Sequence, residues 1–239
     1  MTYRGLSVVV IIPALDEQEA IGGVVNSIDR ELVDRVIVVD NGSVDATASR
    51  ASECGAEVLS EPRRGYGSAC LRAIRAASKS EIFVFMDGDG SDDGSEIPVL
   101  LDSMFEENAD LIIGSRVLGK KEPGALTPVQ YFGNALTCNL VKLFWGVSYT
   151  DLGPFRAIRR EALERLGMND PDFGWTIEMQ VKAAQMGMRV AEVGVSARTR
   201  RAGRSKVSGT LKGSYLAGKT ILGYVLRAKI SELVLGKNR

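Results

Sequence analysis

Two rhythms of apolar residues divide this chain. Up to residue 114, short unbroken aliphatic runs alternate with stretches in which apolar positions recur at three- and four-residue steps. The runs read as strands buried on both faces, the stretches as helices with one buried face. Ser7–Ile12, Arg35–Val39, Ala56–Leu59, Glu81–Met86 and Asp110–Gly114 are the predicted strands, and Pro13 is expected to stop the first. Between them the spacing predicts helices over Glu17–Ile28, Asp45–Cys54, Gly67–Ser78 and Ser95–Glu107, the second closed by Gly55. The second half is less regular. It predicts helices over Thr127–Trp145, Arg160–Leu166 and Phe173–Met186 and strands at Phe155–Ile158 and Arg189–Val195. A Gly- and Arg-rich loop follows, then a last amphipathic helix from about Ser208.

Alternation of this kind predicts an α/β fold, an open and mostly parallel sheet with helices on both faces. Right-handed crossovers bring the carboxyl ends of the strands to one edge, where ligands of such sheets bind. Asp16, Asp40 and Asp87 each fall just past or at a predicted strand end. They are therefore expected to face one site.

Composition narrows the chemistry. The 239 residues are 45% hydrophobic and 25% charged, as in a soluble globular protein. There is no histidine, which excludes histidine bases, Ser/His pairs and histidine metal ligands. Any metal must sit on oxygen ligands, which favours magnesium or manganese. Three scattered cysteines without a CxxC pair suggest neither zinc nor a disulfide framework, and fit a reducing, cytoplasmic compartment. Neither a signal peptide nor a membrane-spanning run of about 20 apolar residues is expected. The formal net charge is zero, but residues 1–110 carry 21 acids and 9 bases and the remainder the reverse. Two solvated surfaces would explain this, as would an acidic half that handles a metal and a basic half that handles anions.

The acidic half is richest at Asp87-Gly88-Asp89-Gly90-Ser91-Asp92-Asp93. An EF-hand loop shares the alternate spacing but needs Gly at its sixth position and Glu at its twelfth, where this chain has Asp92 and Pro98. A solvated acidic turn is the plain alternative. The chemical alternative is D-x-D at a strand end, holding a divalent ion that offsets the charge of a leaving diphosphate. After the first strand, Pro13 to Glu19 lacks the G-x-G-x-x-G of dinucleotide-binding folds, and its three acids would repel a pyrophosphate. Asp16, Glu17 and Asp40 are instead suited to accept hydrogen bonds from a base and a ribose, unless Asp16 or Glu17 only caps the next helix. In Arg64-Gly65-Tyr66-Gly67-Ser68 the glycines, Gly67 included, either let backbone N–H groups face an anion or make a plain turn. Five cations lie between Arg198 and Lys206, as a solvated run or as a clamp over phosphates. The neutral total charge argues against nucleic acid as a partner.

Taken together, Ile12-Pro13-Ala14-Leu15-Asp16-Glu17, Val39-Asp40-Asn41-Gly42-Ser43-Val44-Asp45, Met86-Asp87-Gly88-Asp89, Gly114-Ser115-Arg116, Asp151-Leu152-Gly153-Pro154-Phe155-Arg156, Ile177-Glu178-Met179 and Arg200 through Ser205-Lys206 resemble, in this order, an inverting family-2 glycosyltransferase. The resemblance is to the branch of dolichyl- and polyprenyl-phosphate sugar synthases and spans roughly residues 7–210. It implies a GT-A-like nucleotide-sugar-binding fold over residues 1–207, followed by a basic amphipathic helical segment over 208–239. It also implies roles. Pro13, Asp16 and Glu17 would line the nucleotide site, and Asp40 would touch base or ribose. Asp87 would contact ribose or metal, and Asp89 would be the main ligand of Mg2+ or Mn2+. Arg116, Arg200 and Lys206 would engage phosphates. The family's D-A-D-x-S-H-P-P pattern is altered here to Asp87-Gly88-Asp89-Gly90-Ser91-Asp92-Asp93-Gly94, which puts the second metal contact in doubt.

The co-substrate implied is a nucleotide-diphosphate sugar. Many relatives place a Glu-Asp pair, whose Asp is the base, near the start of a late helix; here Asp172-Phe173-Gly174-Trp175-Thr176-Ile177-Glu178-Met179 has none. A phosphate acceptor is already ionised and needs no base, which agrees with the basic loop. For an alcohol acceptor Asp172, Asp151 and Glu178 are the candidates, unless Glu178 is tied in an ion pair with an arginine. Two rivals differ in class. A sugar nucleotidyltransferase would carry a Gly-rich, Arg/Lys-ended signature after the first strand, where this chain is acidic; the other is a non-catalytic nucleotide-sugar-binding module. In the last segment Leu211, Tyr215, Leu222, Leu226 and Ile230 share a helix face among many lysines and arginines. This face is expected either to lie peripherally on the inner face of the membrane, next to a lipid-phosphate acceptor, or to pack on the protein's own core or a second subunit.

Overall fold

The computed structural model describes residues 3–201 and 211–236, with the backbone alone for 211–217 and 235–236. Seven strands form one sheet: β1 (Val8–Ala14), β2 (Arg35–Asp40), β3 (Glu57–Ser60), β4 (Ile82–Phe85), β5 (Leu111–Ser115), β6 (Arg156–Arg159) and β7 (Val190–Gly194). Their order is β3-β2-β1-β4-β6-β5-β7. All neighbours are parallel except around β6, which runs antiparallel to both β4 and β5. The helices are α1 (Ile21–Asn26), α2 (Thr47–Glu53), α3 (Tyr66–Ala76), α4 (Ile97–Glu106), α5 (Pro128–Trp145), α6 (Arg160–Leu166), α7 (Trp175–Gln185) and α8 (Leu211–Gly236). The unbroken aliphatic runs have their expected cause. Val9 and Ile11 of β1 face one core with α3, α5 and α7, while Val8, Val10 and Ile12 face the other with α1 and α4. Caps fall where the residues dictate: Thr127 and Gln130 make a reciprocal capping box before Pro128, and Gly55 closes α2 at φ +78°.

Three local differences bear on function. β1 does not stop at Pro13 but runs on to Ala14, paired with Asp40. Met86 N–H donates to Ile11 O, so the positions of β1 that face β4 are Ile11 and, two on, Pro13. β4 has already ended there, and the amide that proline lacks has no ladder to join. α1 starts at Ile21, four residues later than the pattern predicts. The N–H groups of Asp16, Glu17 and Gln18 donate to the side chains of Ser43, Thr47 and Asp45, and residues 18–20 form a turn in which Glu17 O accepts from both Ala20 and Ile21 N–H. In α8 the face that packs on α5 and α7 is Ile221, Tyr224, Val225 and Ala228. Leu226 and Ile230, predicted to share a face with Leu222, stay 48% and 60% exposed. The side chains of Leu211 and Tyr215 lie outside the described residues.

Candidate active site

Beyond the carboxyl ends of β1, β2 and β4 lies a cavity of about 340 Å³. It is lined by Pro13, Ala14, Leu15 and Glu17 after β1, Asn41 after β2, and Asp87, Gly88 and Asp89 after β4. The lining is completed by Arg64, Gly65 and Tyr66 at the start of α3, Asp172 and Phe173 ahead of α7, and Arg200. Gly88 is closely approached: a Cβ there would stand 3.3 Å from both the Ile12 side chain and Pro13 O, so an alanine would need these neighbours to give by a few tenths of an ångström.

The loop after β4 concentrates negative charge. The buried Asp92 carboxylate accepts from Asp87 N–H at 2.9 Å, and Asp89 Oδ1 accepts from Ser91 N–H at 2.9 Å. Asp93 accepts from Ser95 N–H and pairs with Arg198. Burial pushes the Asp87 carboxyl well above the ordinary range; Asp89 and Asp92 push the same way, and Arg116 opposes. Burial likewise raises Asp92 to about 7, with Asp89 adding to it and the Asp87 amide opposing. Crowded carboxylates of this kind call for a cation. Arg200 is that cation here: its Nη1 stands 2.7 Å from Glu17 Oε1 and its Nη2 2.7 Å from Asp89 Oδ2. The two acids therefore converge on one position, and an all-oxygen donor set there fits a hard divalent ion. Among the described residues no group of three or more ligand side chains gathers, so Asp89 with Asp87 or Glu17 would be a partial shell.

Several residues implied by the resemblance lie elsewhere than in the cavity wall. Asp16, at φ +50°, accepts from Val44 N–H, and Asp40 accepts from Ser43 N–H, so both brace the loop after β2. Neither Asp16 nor Glu17 caps α1, whose N-cap Ala20 has no side-chain bond. Gly67 is a packing glycine: a Cβ would lie 1.9 Å from Asp170 O. In the first turn of α3 Ser68 N–H donates to Pro171 O; burial raises the Asp172 carboxyl, and the neighbouring Tyr66 amide opposes. The turn therefore packs closely on the 170–172 segment. Arg116 makes a two-armed pair with buried Asp151, Nε to Oδ2 and Nη2 to Oδ1 both at 2.8 Å, and its backbone N–H adds a third bond at 2.9 Å. Buried Glu178 accepts from the amides of Asn169 and Asp170 and pairs with Lys182 at 2.7 Å, a lysine rather than the arginine weighed from sequence. Lys206 lies outside the described residues.

Leu15, Asn41, Arg64, Tyr66 and Phe173 line the cavity without having been singled out. Asn41 had a signal, since it follows the strand-end Asp40: its Oδ1 accepts from Gly65 N–H and its Nδ2 donates to Glu61 O and Arg63 O, joining the end of β2 to the segment that leads into α3. Phe173 and Leu15 lay inside quoted stretches, but one aromatic and one aliphatic residue in loops carried no chemistry that would give them a role.

Residues 9–167 match the profile of Glycosyl transferase family 2. An uncharacterized glycosyltransferase of Mycobacterium tuberculosis is 39% identical over 215 residues, covering 89% of this chain and 95% of the relative. The undecaprenyl-phosphate mannosyltransferase of Micrococcus luteus is 29% identical over 240 residues, covering 93% and 96%. Among solved structures, glucosyl-3-phosphoglycerate synthase of Mycobacterium tuberculosis, in complex with Mn2+, UDP and glucosyl-3-phosphoglycerate, superposes with a TM-score of 0.76 at 26% identity, over 94% of this chain and 80% of that one.

Proposed function

Because the chain belongs to glycosyl transferase family 2 and has a GT-A-like fold, we propose that it moves a sugar from a nucleotide-diphosphate donor to a polyprenyl phosphate, with inversion. The carrying observation is the gathering of Glu17, Asp87 and Asp89 with the cations Arg64 and Arg200 in one cavity beyond the strand ends. Pro13, Leu15, Glu17 and Asn41 hold the nucleoside. Asp89 and Asp87 hold Mg2+ or Mn2+, which offsets the charge of the departing diphosphate. The cations Arg64 and Arg200 receive phosphate oxygens. Asp151 and Glu178 are engaged in ion pairs and backbone bonds and take no proton. A phosphate acceptor arrives ionised and needs none taken. The names of the Micrococcus relative and of a dolichyl-phosphate hexose transferase of Haloferax volcanii, 28% identical over 223 residues, support this acceptor class.

Among the described residues no helix is long and apolar enough to cross a membrane. Contact with a lipid acceptor is instead assigned to exposed apolar side chains: Val129, Phe132, Leu136 and Leu143 on one face of α5, and Leu226, Ile230 and Leu233 on α8. The test is transfer from labelled UDP- and GDP-hexoses to a polyprenyl phosphate, to its alcohol, and to phosphoglycerate. The expected result is an acid-labile lipid-linked label with the phosphate and none with the alcohol. A second reading, a hydroxyl acceptor with Asp172 as base, is favoured by that carboxylate in the cavity wall and by the phosphoglycerate product bound in the solved neighbour. Transfer to a hydroxyl acceptor that Asp172→Asn abolishes would replace the first reading with the second.

A further inference from the structure

One side chain of the protein sits where its acidic residues ask for a cation. The carboxylates of Glu17 and Asp89 are 7% and 10% exposed, and each holds one arm of the Arg200 guanidinium at 2.7 Å. The segment that carries Arg200 is fastened to the same acidic loop. Arg198 N–H donates to Ser91 O at 3.2 Å, Arg198 pairs with Asp93, and Arg201 N–H donates to Asp89 O at 3.1 Å. Gly90, at φ +78°, makes room for this: a Cβ there would stand 2.7 Å from Arg201 Cγ.

We infer that Arg200 is an exchangeable internal cation. It neutralises Glu17 and Asp89 while the cavity holds no donor, and a divalent ion entering with the nucleotide displaces it, so that the guanidinium turns to the diphosphate and the acceptor phosphate. This rests on Asp89 being a metal ligand. A guanidinium and a divalent ion cannot share the space between two carboxylates, since their repulsion at contact distance in a partly buried site is large. A displaced guanidinium needs new planar acceptors, and phosphate oxygens supply them. Free metal therefore competes against Arg200, whereas metal with nucleotide brings Arg200 its next partner. The two bind cooperatively, and the phosphate-receiving cation is released only when a donor is present.

Mn2+ binding to the full-length protein, followed by electron paramagnetic resonance with and without UDP, tests this. Wild type should bind Mn2+ weakly alone and more tightly with UDP. Arg200→Ala should bind Mn2+ alone about tenfold more tightly than wild type, the gain expected if the exchangeable position is open about a tenth of the time. Arg64→Ala removes the same charge from the same cavity, but Arg64 donates to Gly42 O rather than bridging the two acids. Its gain should be far smaller. Equal gains in both variants, or no gain in Arg200→Ala while wild type binds Mn2+ with UDP, would overturn the exchange and leave the glycosyltransferase reading standing. No Mn2+ binding by any protein in any condition would overturn both.

Discussion

Arg116→Met separates two roles for one arginine. The resemblance to other transferases implies a phosphate contact, whereas the structure gives a pair with Asp151, which is 0% exposed. In the variant Asp151 keeps the backbone amides of residues 116 and Leu152 but loses both guanidinium bonds. Removing one partner of a buried pair costs about 3–5 kcal/mol, and the two retained amide bonds set the loss at the lower end, about 3 kcal/mol. For a chain of this size each kcal/mol moves Tm by about 2–4 °C, so the expected fall is about 6–12 °C. Adding Asp151→Asn should recover most of it, because no unpaired charge is then buried and an amide oxygen still accepts from Leu152. Thermal unfolding by circular dichroism, with UDP binding measured in parallel, checks this. A Tm within about 2 °C of wild type accompanied by loss of UDP binding would refute the structural role.

Gly67→Ala should lower stability by about 1–3 kcal/mol through the clash with Asp170 O and, by shifting Asp172 and Phe173, raise the donor KM; wild-type Tm and KM together would count against it. Glu178→Gln keeps an acceptor for the amides of Asn169 and Asp170, so turnover should stay near wild type; a fall of about 100-fold or more would restore Glu178 as a base. In EDTA, Asp92 makes stability depend on pH. Its folded value of about 7 lies above the ordinary 3.8, so the folded protein holds a proton that the unfolded chain has released. The stabilisation is complete below the unfolded value and is lost as pH rises through about 7. Asp92→Asn should therefore gain Tm relative to wild type between pH 5 and pH 8, and a constant difference in calorimetry would refute this.

Strand runs such as Val8–Ile12 and Ile82–Phe85 were legible because burial on both faces of a parallel sheet demands aliphatic residues at every position, a local signal in composition alone. The same sheet logic placed the turns after β1, β2 and β4 at one edge and pointed to Asp16, Asp40 and Asp87; of these Asp87 lines the cavity, whereas Asp16 and Asp40 brace the loop after β2. The start of α1 was not legible, because residues 18–20 form a turn entered through three amides bonded to side chains 27 to 30 residues away, contacts that local apolar spacing does not record. Nor were the partners of Arg116 and Arg200. Arg116 and Arg200 read alike in sequence as phosphate-binding arginines. Only the antiparallel insertion of β6 between β4 and β5, and the loop that leads into it, brings Asp151 to Arg116; only the return of the chain after β7 brings Arg200 between Glu17 and Asp89. Periodicity records which way a side chain faces, since burial is set by its own element. Apart from pairs one helical turn apart, such as Glu178 and Lys182, charge pairing joins elements distant in the chain, so which acid meets which base is decided by the tertiary fold.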